Sequence, residues 1–259
     1  MNRIAQAFAG GKAFIAFLTA GDPSLEKSCE YILEMERAGA DLVEIGIPFS
    51  DPIAEGPVIQ AANIRALAAH TDLRAVFKLV EMVREKSRIP LVFMTYINPV
   101  FKYGTDAFFA KCAESGVDGV IIPDMPFEER RECAAAAVEN GVSLISMIAP
   151  TSKGRIKAIA GAGDGFIYIV SSLGVTGTRS EIKTNLHEIL EEVRSVTTVP
   201  AAVGFGINTP EQAVTIAGMA DGVIVGSAVV KIIAEYGSEA GPHIYEYVKV
   251  MKEAIAKAD

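Results

Sequence analysis

Short apolar runs alternate along the chain with longer segments whose apolar residues recur every three to four positions. Short apolar runs are typical of strands buried on both faces, and the longer amphipathic segments are typical of helices that cover such strands. The pattern predicts eight strands, at residues 13–18, 41–46, 90–94, 119–122, 143–148, 165–170, 199–203 and 222–225. Strand and helix alternate from end to end, which indicates a parallel sheet.

The helical segments carry apolar stripes and start signals. One stripe on a single helix face consists of Leu73, Val76, Phe77, Val80 and Val83. Near residue 210, Thr209 can cap a helix, Pro210 suits its first turn, and Gln212 can complete a capping box. At the other end of the chain, Ile4 and Phe8 predict a short amphipathic helix before the first strand.

The number of strands decides between two parallel architectures. The phrases GADLVEIG, GVDGVIIP, GDGFIYIV and MADGVIVG form a weak internal repeat at every second strand. An open doubly wound sheet would use the same alternation, but eight strands and the lack of an early GxGxxG make it the second choice. We therefore predict that residues 1–259 form one α/β domain, a (β/α)8 TIM barrel. The barrel should have an extra N-terminal helix that plugs its bottom, and a short helix before the last barrel helix.

Composition narrows the classes of partner. The chain has 259 residues, half of them hydrophobic, and 24 Lys and Arg against 32 Asp and Glu give a formal charge of -8. This charge would repel nucleic acid, and no uninterrupted run of about 18 apolar residues predicts a membrane span. Cys29, Cys112 and Cys133 lack the paired spacing of a zinc site or a disulfide framework. We expect a cytoplasmic protein that binds neither nucleic acid nor membrane.

Glycine-rich loops follow the last strands, where barrels of this type hold phosphate groups. Gly204-Phe205-Gly206 follows the seventh strand, and the eighth strand runs into Gly226-Ser227 and a helix. Glycines let backbone N–H groups approach an anion, and a helix N-terminus adds about half a positive charge. A third such loop, at residues 174–177, follows the sixth strand. The sequence therefore predicts a site for a small phosphate ester.

The second strand carries the most informative carboxylate. Strand periodicity places Glu44 on the face opposite Val43 and Ile45, so Glu44 should point into the barrel. Burial raises the pKa of a carboxyl group and suits it to acid–base catalysis near neutral pH, although a purely structural carboxylate remains the alternative. The proline-rich loop that follows presents Asp51 and Glu55, each of which could be a partner of Glu44 or a helix cap.

Other reactive side chains are poorly placed. His70, His187 and His243 share no metal-ligand spacing and fall near predicted helix ends. Ser171 and Ser172 follow the sixth strand, but no histidine at another strand end could activate them. Lysines are missing from the strand ends, which argues against a Schiff-base aldolase. Acid–base chemistry remains.

Six phrases occur in the order and spacing of one known family. They are FLTAGDP, VEIGIPFSDPIAEGP, MTYINPVFKYG, SSLGVTG, VGFGI and VGSAVVKII. Through them the chain resembles the α subunit of tryptophan synthase over essentially its full length. The resemblance implies retro-aldol cleavage of indole-3-glycerol phosphate to indole and glyceraldehyde 3-phosphate, with no metal or organic cofactor in this chain.

The resemblance also implies roles for individual residues. Glu44 would deliver a proton to indole C3 and help to deprotonate the side-chain hydroxyl, and Glu55 would pair with the indole N–H. Thr176 would bind that second acid when its loop closes. The remaining residues implied to contact the substrate are Phe17, Tyr168, Gly177, Phe205, Gly206, Gly226 and Ser227.

The family works as an α2β2 complex in which indole passes to a pyridoxal-phosphate β subunit. The resemblance implies that Asp51, Pro52 and Ile53, together with Asn98 and Pro99, face that partner.

One residue departs from the family pattern. The usual phrase Ala-Asp-Gly-Pro reads Ala54-Glu55-Gly56-Pro57 here, so the second acid is one methylene longer. Two other functions therefore stay open. One is a non-catalytic or weakly active subunit that activates a β partner. The other is a phosphosugar isomerase or epimerase barrel, which would share the phosphate loops and an acid–base pair.

Overall fold

A closed barrel of eight parallel strands forms the centre of the computed structural model, which describes residues 2–152, 154–171, 179–204 and 206–258. The strands pair in chain order, and β8 pairs with β1 to close the barrel. Their bounds are β1 Ala13–Thr19, β2 Leu42–Gly46, β3 Leu91–Met94, β4 Gly119–Ile121, β5 Ser143–Ile148, β6 Ile167–Val170, β7 Ala201–Gly204 and β8 Gly222–Val225. The predicted barrel is confirmed.

Helices connect and cover the strands. Their bounds are α1 Arg3–Ala7, α2 Leu25–Arg37, α3 Pro57–Ala68, α4 Leu73–Arg84, α5 Ile97–Tyr103, α6 Thr105–Ser115, α7 Arg131–Glu139, α8 Ile156–Gly161, α9 Arg179–Arg194, α10 Pro210–Ala217, α11 Ser227–Tyr236 and α12 Ala240–Ile255. Short 3-10 turns occupy Phe127–Glu129, Pro150–Ser152 and Gly237–Glu239. The expected short helix before the last barrel helix is α11.

All eight predicted strands are present, and their ends differ by at most two residues from the prediction. Strands β6 and β7 begin two residues later than predicted, and each shift has a local cause. Gly165 has a φ of +69°, outside the range of a strand, so β6 begins at Ile167. Pro200 has no N–H to donate to the sheet, and β7 begins after it.

Two layers of apolar side chains fill the molecule. The inner layer closes the barrel and contains Ile4, Ala7, Ile15, Leu42, Val92, Ile121, Ile145, Phe166, Tyr168, Ala202 and Ile224. The outer layer lies between the strands and the helices and includes Val43, Ile45 and the α4 residues Val76 and Val80. This alternation is the reason why inward and outward positions could be told apart in the sequence.

The N-terminal helix α1 closes the bottom of the barrel, as predicted. Ile4 is 1% exposed and belongs to the inner layer. Burial of this one side chain contributes about 2 kcal/mol of stability. Phe8 packs against Phe166, with ring centroids 5.8 Å apart. At the other end of the chain, the predicted capping box of α10 is present, with Thr209 and Gln212 bonded reciprocally.

Candidate active site

Glu44 lies at the centre of the barrel, on β2. It is paired in register with Phe17 of β1 and is only 1% exposed. Its neighbours Val43 and Ile45 belong to the outer layer, so the side chain of Glu44 faces inward, as the strand period predicts.

The surroundings of Glu44 favour its neutral form. Among the described residues, its Oε1 atom has no hydrogen-bond partner. Burial raises the pKa of this carboxyl group from its ordinary value of 4.5 to about 8. Near neutral pH the group is therefore mostly protonated, and it can both donate a proton and take one back.

Two aromatic side chains stand beside Glu44. Phe17 comes from β1 and Tyr168 from β6, and both line the same cavity as Glu44. Burial, together with the negative charge that Glu44 carries at high pH, raises the pKa of Tyr168 well above its ordinary range, so its hydroxyl stays protonated. A Cβ at Gly204 would lie 2.4 Å from the Tyr168 hydroxyl oxygen, so glycine is needed there for the ring to fit.

The loop between β2 and α3 brings Glu55 into this cavity. One carboxylate oxygen of Glu55 accepts a short hydrogen bond from Asn63 Nδ2. Partial burial raises the pKa of Glu55 to about 7, and the bond from Asn63 opposes this rise. Neither Asp51 nor Glu55 caps α3, because Gly56 occupies the N-cap position without a side-chain bond. The helix-cap alternative for these two acids is therefore wrong.

The earlier part of this loop faces solvent. Asp51 is exposed and accepts from Ser50 Oγ at 2.5 Å, and Ile53 is 81% exposed. Asn98 and Pro99 lie in α5, just after β3, with Asn98 exposed. These loops follow adjacent strands at the same end of the barrel.

A second loop cluster forms the opposite side of the cavity, after β7 and β8. Gly206 has a φ of +79°, a left-handed conformation that favours glycine. Gly226 is the N-cap of α11, and Ser227 is its first residue. Gly206, Gly226 and Ser227 all line the cavity, so the N-terminus of α11 opens toward it.

Three residues expected at the site are Thr176, Gly177 and Phe205, and all three lie outside the described residues. Their roles stay predictions.

The cavity has a volume of about 600 Å³ and lies at the carboxyl ends of the strands. Its lining combines two acids, two glycine-flanked loops and many apolar side chains. The apolar and aromatic members include Phe17, Ile59, Met94, Ile122, Met125, Phe127, Met147, Ile159, Tyr168, Val170, Ile207 and Ile224. Such a site suits a ligand with a flat apolar part and one anionic end.

Some lining residues were not foreseen. Lys231 lies one turn after Ser227 on the same face of α11, so a cation does reach the site, although from a helix and not from a strand end. Asn208 and Arg130 also line the cavity. Helical spacing could have identified Lys231, because it is four residues after Ser227.

The described histidines stay outside this site. His187 is exposed, and His243 stacks on Tyr236 with ring centroids 3.6 Å apart. Within the described residues, no group of three or more His, Cys, Asp or Glu side chains is arranged to hold a metal ion. No helix in that part of the chain has the length and apolar character of a membrane span.

The chain is similar to known proteins in both sequence and structure. The profile of the family described as tryptophan synthase alpha chain matches residues 5–257. The tryptophan synthase alpha chain of Lacticaseibacillus casei is 47% identical over 98% of this chain and 96% of its own length. That of Lactiplantibacillus plantarum is 50% identical over 98% and 97%.

Solved structures agree with the sequence comparisons. Tryptophan synthase subunit alpha from Legionella pneumophila superposes with a TM-score of 0.90 at 34% identity, over 99% of both chains. A chain in a structure of the tryptophan synthase α2β2 complex from Pyrococcus furiosus superposes with a TM-score of 0.85 at 35% identity, over 94% of this chain and 98% of that one.

Proposed function

Since the chain belongs to the tryptophan synthase alpha chain family, it cleaves indole-3-glycerol phosphate to indole and glyceraldehyde 3-phosphate, and we propose that Glu44 and Glu55 carry the chemistry. The observation that supports this assignment best is the burial of the Glu44 carboxyl group, which raises its pKa to about 8, in a cavity that Phe17 and Tyr168 also line.

Glu44 performs both proton transfers. As an acid it gives its proton to C3 of the indole ring, which makes the ring an electron sink. The resulting carboxylate takes the proton from the hydroxyl on the adjacent side-chain carbon. The carbon–carbon bond then breaks, its electron pair goes to the ring, and the hydroxyl carbon becomes the aldehyde of glyceraldehyde 3-phosphate. Glu44 ends the cycle protonated, as it began.

Glu55 stabilises the charge that develops on the ring. Its carboxylate accepts from the indole N–H, and this interaction strengthens as C3 protonation makes the ring positive. Phe17 and Tyr168 contact the indole ring. Thr176 would bind Glu55 when its loop closes over the substrate and excludes water.

The phosphate group lies at the β7–β8 side of the cavity. Backbone N–H groups of Gly206, Gly226 and Ser227 bind it there. The N-terminus of α11 supplies a partial positive charge. This site is separate from Glu44, so binding and proton transfer use different groups.

The chain works with a β subunit in an α2β2 complex, and pyridoxal phosphate belongs to that partner. The loop with Asp51, Pro52 and Ile53, together with Asn98 and Pro99, forms the docking surface. The exposure of Ile53 supports this placement, because a large apolar side chain in water is typical of an interface. The cleavage itself needs no cofactor on this chain.

We also place the protein in the cytoplasm. Cys29, Cys112 and Cys133 are free and buried, as is usual for proteins of a reducing compartment.

Indole release from indole-3-glycerol phosphate tests the assignment of Glu44. Glu44→Gln should abolish cleavage, with or without the β subunit, and leave substrate affinity within about threefold, because the phosphate loops are intact. Glu188→Gln on the exposed face of α9 is the matched control and should keep full activity. Loss of binding by Glu44→Gln would mean that Glu44 is a structural carboxylate.

The same assay tests whether Glu55 is compatible with catalysis. Cleavage by the native chain that rises with added β subunit supports an active enzyme. If the Glu55→Asp variant cleaves the substrate and the native chain does not, the native chain is a subunit that only activates its partner.

A further inference from the structure

Asn63 is a buried polar residue in the interior of α3. It is 2% exposed, and its neighbours on the buried face of the helix are Ala62 and Ala66. Asparagine is a poor helix former, and a buried amide is destabilising unless it is hydrogen bonded. Its Nδ2 atom donates to the carboxylate of Glu55, eight residues earlier in the chain.

The rest of α3 holds this pair in place. Gln60 Nε2 donates to the Glu55 carbonyl oxygen at 2.8 Å, so the first turns of the helix bind both the backbone and the side chain of Glu55. Two residues after Asn63, Arg65 forms a bidentate ion pair with the buried Asp22, with N···O distances of 2.9 and 2.7 Å. That ion pair fixes α3 to the loop after β1, so the amide of Asn63 has a defined position relative to the barrel.

The loop is also held from the opposite side. Tyr96, which follows β3 and is 1% exposed, has its hydroxyl 3.1 Å from the backbone N of Ala54, whose N–H donates to it. The Tyr96 ring stacks on Phe49, with centroids 5.0 Å apart. With the backbone held by Gln60 and Tyr96, the remaining freedom of Glu55 is in its side chain, and Asn63 restricts that freedom.

We propose that Asn63 is a positioning residue, which holds the Glu55 carboxylate in the cavity at the place where the indole N–H arrives. This inference rests on the catalytic role of Glu55 given above. This role accounts for the use of the longer acid, because the hydrogen bond from the Asn63 side chain draws the Glu55 side chain toward α3 and restricts its side-chain torsions.

A consequence concerns the charge of Glu55. The bond from Asn63 lowers the pKa of Glu55, against the rise to about 7 that burial causes. The hydroxyl of Tyr96 faces the same loop as Glu55, and the other described titratable side chains that line the cavity are Glu44, Arg130, Arg155, Tyr168 and Lys231. Tyr96 stays protonated because burial raises its pKa, and the hydrogen bond from Asn63 is the contact that lowers the pKa of Glu55.

The test is a double-mutant cycle with Asn63→Ala, Glu55→Asp and the double variant, measured as indole release by the whole chain in complex with its β subunit. Asn63→Ala should lower kcat about tenfold with little change in KM, since a hydrogen bond to a charged group is lost. In the same variant, the acidic limb of the kcat–pH profile should move to higher pH. In the Glu55→Asp background the shorter side chain does not reach Asn63, so the same change should alter kcat less than twofold and leave the limb in place.

Equal losses in both backgrounds, with an unmoved acidic limb, would show that Asn63 is merely structural and overturn the inference. Asn63→Ser keeps a polar group on the buried face and is measured beside Asn63→Ala, in case the alanine variant does not fold. Glu55→Gln separates this inference from the proposed function. If Glu55→Gln is fully active, the role of Glu55 itself is wrong; if it is inactive while Asn63→Ala is unimpaired, only the role of Asn63 is wrong.

Discussion

The ring of Phe17 on β1 packs directly over Gly46 on β2, so that a Cβ at Gly46 would lie 2.6 Å from Phe17 Cζ. Any larger residue at this position must displace the ring by about 1 Å, because carbon atoms pack at about 3.5 Å. Displacement of that size at a catalytic site lowers rates on the order of a hundredfold. Gly46→Ala should therefore reduce kcat/KM for indole release about a hundredfold, by moving Phe17 out of place beside Glu44.

Gly161→Ala is the control for this change. Gly161 ends α8, and a Cβ there has nothing within 4 Å. Its substitution should leave kcat/KM unchanged. Full activity of Gly46→Ala would mean that Phe17 does not contact the substrate.

Glu44→Gln should stabilise the fold at neutral and alkaline pH. The folded-state pKa of Glu44 is about 8 against an ordinary value of 4.5, so between these values the unfolded chain ionises Glu44 and the folded chain does not. The native chain therefore loses up to about 1.4 kcal/mol of stability per pH unit over this range, relative to the variant. Its unfolding free energy should fall below that of Glu44→Gln by about 3 kcal/mol more at pH 8 than at pH 5.

Urea unfolding of both proteins at pH 5, 6.5 and 8 measures this difference. Glu55 also titrates in this range, but it is present in both proteins, so its contribution cancels. A difference that does not change with pH would show that Glu44 is ionised in the folded protein.

The inward position of Glu44 was predictable because strand periodicity has only two faces, and the flanking Val43 and Ile45 occupy the outer one. The barrel was predictable for the same reason. Eight apolar runs, each followed by a helical stripe, leave few arrangements in which every run is covered. Local signals such as the capping box at Thr209 then fixed individual helix starts.

The role of Asn63 was not predictable in the same way. Ile59, Ala62, Asn63 and Ala66 fall at helical spacing, so a polar residue on the buried face of α3 could have been noticed. Its partner could not, because the path of the loop between β2 and α3 decides which side chain comes within reach. The residues at the strand ends give no sign of the cation at Lys231, because that residue lies on α11, the helix that follows β8.

Ser227→Ala should weaken substrate binding and spare the chemistry. Ser227 is the first residue of α11 and lines the cavity beside Gly226, so its hydroxyl can donate to the phosphate. Loss of one hydrogen bond to an anion should raise KM about tenfold with kcat nearly constant. Steady-state kinetics with indole-3-glycerol phosphate measure this effect. Dephosphorylated indole glycerol should show no difference between the two proteins, and Ser238→Ala, on the surface after α11, should match the native enzyme.

Ile53→Ser should weaken the complex with the β subunit. Ile53 is 81% exposed, and covering a side chain of this size on binding contributes about 1.5 kcal/mol or more, which is tenfold in affinity. Titration calorimetry with the β subunit measures the change. Val250→Ser is the control, since Val250 is half exposed on α12, away from the loops at the strand ends. Equal affinities for native chain and Ile53→Ser would remove this loop from the interface.

Asp118→Asn should reduce stability without reducing activity, because Asp118 precedes β4 and lies at the face of the barrel opposite the cavity. Its carboxylate accepts from Arg3 Nε at 2.6 Å, from an Arg84 guanidinium nitrogen at 2.9 Å and from the backbone N–H of Leu91 at 2.8 Å. The side chains of Asp118 and Arg84 are each only 9% exposed. Burial already lowers the pKa of Arg84 to about 10, and Asp118 is the main group that opposes this shift.

An amide at position 118 leaves the charge of Arg84 buried and without its carboxylate, and it also weakens the attachment of α1 through Arg3. Removal of one member of a buried ion pair destabilises proteins by about 3 kcal/mol, so the urea midpoint should fall by a corresponding amount. Asp106→Asn, at an exposed position in the first turn of α6, should change stability by no more than about 0.5 kcal/mol. Because neither change reaches the cavity, kcat/KM of the folded variants should equal that of the native chain. A large loss of activity in folded Asp118→Asn would mean that the bottom of the barrel is coupled to Glu44 through the inner layer of side chains.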